Sequence, residues 1–424
     1  MTDRTILDQL TYRELPAVLV SAELSSAEPF GDDPLDELTA LAETAGVIVA
    51  ARAYQRIESP NPRTYIGKGK VAEVAALVRE HGAKLAVFDN ELKPNQQREL
   101  EEELKVSVLD RTELILSIFG QHARTRQAKV QVQLAQAEYE LPRLKNLWTH
   151  LERQRGSLGA VGGAGERQIE VDRRLLRDRI SKLKRELDEI NKRRQIEVGR
   201  RHELFQVSIV GYTNAGKSTL MNALTAEGVL AEDKLFATLD TRTCVWKLPD
   251  HKVLLSDTVG FIRDLPHRLV ASFHATLEEV LQADLLLHVV DASHPSAAEM
   301  IQAVNGVLHE IGADSRRVLM VFNKIDAVRD KPMLNQLLLQ HAERVSVSAR
   351  TGEGLAELTQ RVQEIVEERE TKVEWTFSAG NGKLLAYLKQ HGKILDIAYE
   401  ESQVHVKALI EPRYYGQALA MKDE

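Results

Sequence analysis

Two stretches of the chain carry apolar residues in the strict four-three alternation that forms the seam of a coiled coil. The seam positions are Val130, Leu134, Ala137, Leu141, Leu144, Trp148 and Leu151, and then Leu176, Ile180, Leu183, Leu187 and Ile190. Two such helices joined by a short connection pack antiparallel, because each buries the apolar stripe of the other. The sequence therefore predicts a helical hairpin that projects roughly 40 Å, with a bend in its first helix at Pro142.

The predicted hairpin is basic, and its far end is rich in glycine. Residues 121–202 contain 20 Lys and Arg against 11 Asp and Glu, a net +9 in a chain whose total is -7. The stretch RGSLGAVGGAGERQIE, Arg155 to Glu170, carries five glycines between Gly156 and Gly165. A basic segment in an acidic protein indicates a polyanion-binding surface, or else a solvated face whose charges pair with one another. The glycines alone are also typical of a flexible linker.

The bulk composition is that of a globular protein. Apolar residues make up 43% and charged residues 28% of the 424 residues, and no apolar run approaches the roughly 18 residues of a membrane helix. The opening MTDRTILDQL lacks the pattern of a signal peptide. Cys244 is the only cysteine, which excludes an intrachain disulfide. We therefore expect a cytoplasmic protein, with peripheral membrane association left open.

The regions on either side of the hairpin alternate strand-like and helical patterns. AVLVSAEL, AGVIVAAR, KLAVFDN and KVSVLD predict an N-terminal α/β domain with a largely parallel sheet over residues 1–122. The hairpin covers 123–202, and residues 203–370 read as a doubly wound α/β sheet. The tail, 371–424, predicts a small α+β module. Within the first domain, YIGKGK lacks the spacing of a nucleotide loop and is interpreted as structural.

A phosphate-binding loop opens the third region. GYTNAGKS, Gly211 to Ser218, matches GxxxxGK[ST] between a predicted strand and a predicted helix. Gly211 and Gly216 allow the backbone to approach phosphates, which the loop N-H groups and the helix N-terminus then face. Lys217 is expected to reach the β and γ phosphates and Ser218 to bind Mg²⁺.

Three further loops follow later strands and complete a guanine-nucleotide pattern. DTVG, Asp257 to Gly260, supplies a carboxylate that reaches the metal through water and the Gly260 N-H for the γ phosphate. The carboxylate of Asp326, in NKID, accepts both guanine donors, whereas adenine offers no such pair. In SAR, Ser348 to Arg350, the N-H of Ala349 is placed for the guanine carbonyl.

Together these loops resemble the translation-factor-like class of P-loop GTPases. LFATLDTRT, Leu235 to Thr243, lies where that class has its first switch, and the resemblance makes Thr238 the second Mg²⁺ ligand; Thr241 and Thr243 are neighbours of the same type. The predicted GTP-binding residues are Gly211, Tyr212, Thr213, Asn214, Ala215, Gly216, Lys217, Ser218, Phe236, Ala237, Thr238, Leu239, Asp240, Asp257, Thr258, Val259, Gly260, Asn323, Lys324, Ile325, Asp326, Ser348, Ala349 and Arg350.

One residue departs from the Ras-like pattern. Phe261 follows DTVG, where Ras-like switches place the glutamine that orients the attacking water. A phenylalanine cannot orient water, so slow hydrolysis by the free protein is expected. The sequence does not identify the hydrolytic residue.

The combination of an α/β domain, a basic hairpin with its glycine tip and a GTPase domain carrying FATLD resembles the HflX family of bacterial GTPases. The resemblance implies binding to the large (50S) ribosomal subunit, ribosome-stimulated GTP hydrolysis and the splitting of stalled ribosomes, including under stress. The glycine tip would then enter an RNA cavity, with Arg153, Arg155 and Arg167 contacting ribosomal RNA. No DNA partner is expected, and the free protein is expected to be monomeric.

The same residues are compatible with two other functions. The chain could be a GTP-controlled switch that docks to a protein partner through its coiled coil, or that acts in ribosome assembly. It could also be an RNA-remodelling ATPase, which Asp326 and the lack of a helicase motif series beside the single phosphate loop disfavour.

Overall fold

A computed structural model describes residues 12–26, 33–144, 164–199, 204–225, 236, 242–263, 279–400, 402–410 and 412–423; within these ranges the side chains of 164–169, 193–199, 413 and 423 are not described. In the described part of the chain, none of the helices combines the length and the apolar character needed to cross a bilayer.

The N-terminal part is a parallel four-stranded sheet in the order β2-β1-β3-β4, as the strand pattern predicted. Helices α1 and α4 share a core on one face, and α2 and α3 pack on the other. The elements are β1 (Pro16–Leu24), α1 (Asp36–Ala45), β2 (Ile48–Ile57), α2 (Lys68–Glu80), β3 (Leu85–Phe88), α3 (Pro94–Leu104), β4 (Ser107–Asp110) and α4 (Arg111–His122). The apolar core on the α1 and α4 face continues into the remainder of the protein.

Two helices form the predicted antiparallel pair, α5 (Arg126–Glu140) and α6 (Ala164–Gly199). The predicted seam is confirmed up to Leu141: Val130, Leu134 and Ala137 of α5 bury the apolar stripe of α6, and Leu141 packs beside them. The seam position Leu144 is buried but does not belong to this cluster. At about 1.5 Å per residue the 36 residues of α6 span roughly 54 Å. The seam positions Trp148 and Leu151 and the glycines from Gly156 to Gly163 lie outside the described residues, whereas Gly165 is part of α6.

The first helix ends where a bend was expected. Helix α5 stops at Glu140, and residues 141–143 form a turn. The predicted interruption at Pro142 is confirmed, and helical backbone returns at Leu144, the last described residue of this segment. Pro142 has no N-H for the helical bond, and its ring crowds the preceding turn, so the helix is broken there, whereas the bend itself stays a prediction. The face of α5 away from α6 packs into the N-terminal core through Ala128, Val132, Ala135 and Tyr139.

The third part is a six-stranded sheet in the order β10-β9-β8-β5-β7-β6. It is parallel except for β6, an antiparallel edge strand that the sequence had not indicated. The strands are β5 (Phe205–Gly211), β6 (Arg242–Lys247), β7 (Lys252–Asp257), β8 (Leu285–Asp291), β9 (Arg317–Asn323) and β10 (Arg344–Ser346). The helices are α7 (Lys217–Thr225), α8 (Ala297–Glu310), α9 (Lys331–Leu339) and α10 (Leu355–Glu368). The predicted doubly wound α/β fold is confirmed.

The tail is a three-stranded antiparallel sheet with two helices, the predicted α+β module. Its elements are β11 (Thr371–Ser378), α11 (Gly382–His391), β12 (Gly392–Glu400), β13 (Gln403–Ile410) and α12 (Pro412–Asp423). Lys393 ties it to the preceding part by ion pairs with Asp250, at 2.6 Å, and Glu367, at 2.9 Å.

One continuous apolar core joins the N-terminal sheet to the six-stranded sheet. Phe119 of α4 meets Phe236 edge to face, with ring centroids 4.7 Å apart. Phe261 and Tyr212 are buried in the same cluster. The loops at the end of β5 and β7 therefore lie against the N-terminal domain rather than on an open surface.

Candidate nucleotide-binding site

The loop after β5 has the backbone conformation that a phosphate-binding loop needs. Gly211, Asn214 and Gly216 have φ of 151°, 60° and 89°. A Cβ on Gly211 would lie 2.2 Å from the carbonyl oxygen of Val289, and one on Gly216 would lie 2.3 Å from Nδ2 of Asn323. Both positions thus require glycine, for conformation and for space. Helix α7 begins directly after this loop, so the first N-H groups of the helix point into the concave side of the loop.

Lys217, the first residue of α7, is buried, and its Nζ donates to the carbonyl oxygen of Tyr212 at 2.8 Å. Burial lowers the pKa of Lys217 to about 8, partly offset by the negative charge of Asp257. An ammonium group in so dry a position favours an anion beside it, because an added negative charge restores the stability of the charged form. The site therefore has the electrostatics expected for phosphate.

Ser218 and Asp257 come together as the predicted metal site requires. The Ser218 hydroxyl donates to Oδ2 of Asp257 at 2.7 Å, and Asp257 is fully buried at the end of β7. A hydroxyl and a carboxylate are the hard oxygen donors that Mg²⁺ prefers, so these residues fit the ion. Thr258 donates to the carbonyl oxygen of Ile209 at 2.7 Å, which anchors the start of DTVG beside the phosphate loop.

Gly260 is packed directly against the phosphate loop, and half-buried Val259 precedes it. A methyl group on Gly260 would lie 2.8 Å from Cγ2 of Thr213 and 2.9 Å from Nζ of Lys217. The loop after β7 therefore closes over the place predicted for the γ phosphate.

Asn323, at the end of β9, joins two of the predicted loops. Its Nδ2 donates to the carbonyl oxygen of Ala215 at 2.9 Å, and its Oδ1 accepts the N-H of Ala349 at 3.0 Å. Because Asn323 is buried, neither bond competes with water. This one side chain fixes the phosphate loop and the SAR loop relative to each other.

The carboxylate of Asp326 lies at the predicted base site. It accepts the Ser348 hydroxyl and a guanidinium N-H of Arg350, each at 2.6 Å. The Ser348 hydrogen bond lowers the pKa of Asp326, aided by the positive charge of Arg350. Lys324 has φ of 62° and pairs with Asp291 at 2.7 Å, while Ile325 begins a short 3₁₀ turn. Ionised Asp326 presents the acceptor that guanine requires.

Several predicted residues cannot be placed. Ala237, Thr238, Leu239 and Asp240 lie outside the described residues, as do Arg153 and Arg155, and Arg167 lies in α6 without a described side chain. Phe236 is described and is buried against Phe119, in the shared apolar core rather than on the rim of the phosphate loop.

The sequence missed a polar contact between this site and the N-terminal domain. The Tyr212 hydroxyl donates to Oε1 of Glu37 at 2.6 Å and accepts the N-H of Arg263 at 2.8 Å. Burial raises the pKa of Tyr212, and the negative charge of Glu37 raises it further. Phe261, singled out as a departure from the Ras-like pattern, exchanges backbone hydrogen bonds with Gly211 and Thr213, and its ring is buried. No local pattern signals these contacts, since their partners are distant in sequence.

Comparison with known proteins accounts for most of the chain. Residues 32–120 match the family model described as GTP-binding GTPase N-terminal, residues 122–201 the model for the GTP-binding GTPase middle region, and residues 206–324 the model for a 50S ribosome-binding GTPase. A solved structure of a GTP-binding protein from Sulfolobus solfataricus in complex with GDP is 26% identical, covers 84% of this chain and 99% of its own, and has a TM-score of 0.44.

Curated relatives align over nearly the whole length. The GTPase HflX of Magnetococcus marinus is 46% identical over 386 residues, 90% of this chain and 89% of that protein. The GTPase HflX of Escherichia coli is 45% identical over 354 residues, 82% of each chain. With this identity over so much of both sequences, and with the predicted guanine-nucleotide loops gathered at one edge of the sheet, the chain belongs to the HflX family of GTPases.

Proposed function

We propose that this chain binds GTP with Mg²⁺ at the loops after β5, β7, β9 and β10 and hydrolyses it to GDP and phosphate. The observation that carries the proposal is the pair of hydrogen bonds by which the Asn323 side chain fixes the phosphate loop and the SAR loop relative to each other. Ser218 and Asp257 would hold the ion, with Thr238 added in the GTP state. Mg²⁺ bound there would neutralise charge on the β and γ phosphates.

We further propose that hydrolysis is slow in the free protein. Phe261 occupies the position after DTVG and is buried in the interdomain core, so it offers no polar group to an attacking water. A partner that rearranges this segment would then raise the rate. The relevant comparison is the turnover rate with and without ribosomal particles, and a free protein as fast as the ribosome-bound one would contradict the proposal.

The partner we propose is the large ribosomal subunit, with its RNA as the polyanion. The match of residues 206–324 to the model described as a 50S ribosome-binding GTPase supports this choice. So does α6, where the exposed residues Arg174, Arg185 and Lys192 fall, at 100° per residue, on the side opposite the seam. Asp178, Asp188 and Glu189 share that side and balance these three charges, and residues 170–192 as a whole hold eight basic against six acidic residues, so the basic excess of this part of α6 is small.

We propose that the tip, with Arg153, Arg155 and Arg167, enters an RNA cavity and that the outcome is separation of stalled ribosomes into subunits. The test is co-sedimentation with purified large subunits in GDP and in a non-hydrolysable GTP analogue, followed by sucrose gradients of intact ribosomes with GTP. Tighter co-sedimentation with the analogue and accumulation of subunits are expected. An affinity for large subunits that does not fall with added salt would contradict a contact dominated by RNA phosphates. Failure to bind subunits would favour a protein partner.

A further inference from the structure

Two neighbouring residues at the start of α4 bind opposite parts of the chain. Asp110 is fully buried at the end of β4, and Arg111 is 3% exposed. Asp110 faces the point at which the chain leaves α5 for the tip, and Arg111 faces the segment Asp257–Arg263, called here the second-switch segment. Neither residue belongs to the predicted nucleotide site.

Arg111 is bound to the second-switch segment both directly and through shared carboxylates. Its guanidinium pairs with Asp89 at 2.6 Å and Glu37 at 3.1 Å, and it donates to the carbonyl oxygen of Arg263 at 3.0 Å. The guanidinium of Arg263 pairs with the other oxygen of Asp89 at 2.9 Å. Tyr212 adds its hydrogen bond to Glu37. Glu23 also lies 4.0 Å from the Arg263 guanidinium, so two arginines face three carboxylates, and withdrawal of Arg263 would increase the excess negative charge around Arg111.

The charged cluster around Arg111 lies at the carboxyl ends of the strands of the N-terminal sheet. Because β1 connects to β2 on one side and β3 to β4 on the other, the sheet order makes the gap between β1 and β3 a topological switch point. In open α/β sheets, ligands bind outside the carboxyl ends of the strands at such a point. Asp89 directly follows β3, and here its carboxylate binds Arg263. The side chain of Arg263, at the end of the second-switch segment, thus lies where such a sheet binds a ligand.

Asp110 binds the segment that follows α5. Its Oδ2 accepts a guanidinium N-H of Arg143 at 3.0 Å, and its Oδ1 caps α4 by accepting the N-H of Glu113 at 2.9 Å. Arg143 also donates to the carbonyl oxygen of Leu92 at 2.8 Å, and its guanidinium lies 3.6 Å from the centre of the Tyr139 ring. Arg143 lies three residues beyond the end of α5. These contacts fix the position from which the chain departs toward the tip.

We propose that Asp110 and Arg111 are positioning residues that couple the second-switch segment to the hairpin, so that the bound nucleotide sets the orientation of the hairpin. This rests on the proposed function, because it requires a segment that responds to GTP. Gly260, packed on Lys217 and Thr213, lies three residues before Arg263. A γ phosphate that accepts the Gly260 N-H would move Gly260, and Arg263 with it. Arg111 then exchanges partners, and the adjoining Asp110 carries the change to Arg143.

The experiment measures the distance between two spin labels in the full chain. In a Cys244→Ser background, cysteines replace the exposed residues Arg177 of α6 and Leu339 of α9. Distances are recorded with GDP and with a non-hydrolysable GTP analogue. We expect the parent to show a nucleotide-dependent shift, and we expect Arg263→Met and Arg111→Met to lose it. Arg52→Met is the matched control, since Arg52 pairs with Asp33 and Asp36 in the same domain and should keep the shift.

Two variants at the hairpin end keep the test decisive if Arg111→Met does not fold. Asp110→Asn keeps the helix cap but removes the charge facing Arg143, and Arg143→Met cuts the same contact from the other side. Both should lose the shift while binding GDP and the analogue as the parent does, as followed with fluorescent nucleotides. A shift retained in Arg263→Met and Arg143→Met would overturn the coupling. A parent that binds both nucleotides with equal distances would overturn the coupling alone, whereas a parent that binds neither would overturn the proposed function as well.

Discussion

Replacing Asp326 by asparagine should change which purine the protein binds. The carboxylate of Asp326 accepts two charge-assisted hydrogen bonds, from Ser348 and Arg350, each at 2.6 Å. A guanine ring would use the same oxygens for its two donors. Asparagine keeps one acceptor and adds a donor, so it cannot accept both guanine N-H groups. It does match xanthine, whose ring edge carries an additional oxygen.

The size of the effect follows from the two competing sets of bonds. Two hydrogen bonds to a charged acceptor are worth about 3 to 6 kcal/mol in total. Guanine must displace Arg350, but that side chain is 80% exposed, and exposed ion pairs contribute only about 0 to 1 kcal/mol. Loss of the Asp326 charge should therefore weaken GDP binding by roughly two to four orders of magnitude.

Calorimetric titration with GDP and XDP checks this prediction. Arg350→Ala is the control, since it removes the displaced competitor and should leave GDP affinity unchanged or raise it slightly. GDP affinity that is unchanged in Asp326→Asn, or that does not move in favour of XDP, would refute the assignment of Asp326 to the base.

Three other perturbations test different parts of the molecule. Gly216→Ala should destabilise the fold by about 2 to 4 kcal/mol, because φ is 89° and the new methyl would meet Nδ2 of Asn323 at 2.3 Å. Urea unfolding measures this loss, with Gly69→Ala as the control, since a methyl group there meets nothing within 4 Å. Burial, with the negative charge of Asp110 adding to it, raises the pKa of Glu113 from 4.5 to about 7. The contribution of the protonated Glu113 to folding stability is therefore complete below pH 4.5, falls as the pH rises and is lost above 7. Glu113→Gln should remove about 3 kcal/mol of that pH dependence, and parallel stability curves for the two proteins between pH 5 and 7 would contradict it. Replacing Gly156 to Gly165 by an Asn-Gly turn should leave nucleotide binding intact but stop ribosome splitting on sucrose gradients, and splitting at the parent rate would make the segment a linker.

The sequence predicts those helices and loops whose form depends on residues close together in the chain. The period of the seam located α5 and α6, and the spacing of GYTNAGKS, DTVG, NKID and SAR located four loops that the sheet brings to one edge. Strand β6 was not predicted because apolar and polar residues do not alternate cleanly there. Trp246 points inward, but apolar Val245 points outward and is 44% exposed. A pattern search for alternating polarity fails when an exposed position is itself apolar.

Contacts between distant segments left no such signal. Arg111 and Arg263 are separated by 152 positions, and each reads individually as an ordinary charged residue. Tyr212 stands at a position where the phosphate-loop motif accepts any residue, so its hydrogen bond with Glu37 was not predictable from the motif. Phe261 was identified by its departure from a known pattern, yet its burial in the interdomain core depends on packing that only the folded chain reveals.

Helix α5 packs on two sides at once, and this restricts how the protein can vary in length. One side meets α6 through Val130, Leu134 and Ala137, and another meets the N-terminal core through Val132 and Ala135. Inserting or deleting a single residue in the middle of α5 would rotate everything beyond it by about 100°, which would misalign both sides together. Natural length variation among relatives should therefore avoid residues 128–139 and collect in the connection between α5 and α6, where the reach of the hairpin can change without disturbing either core.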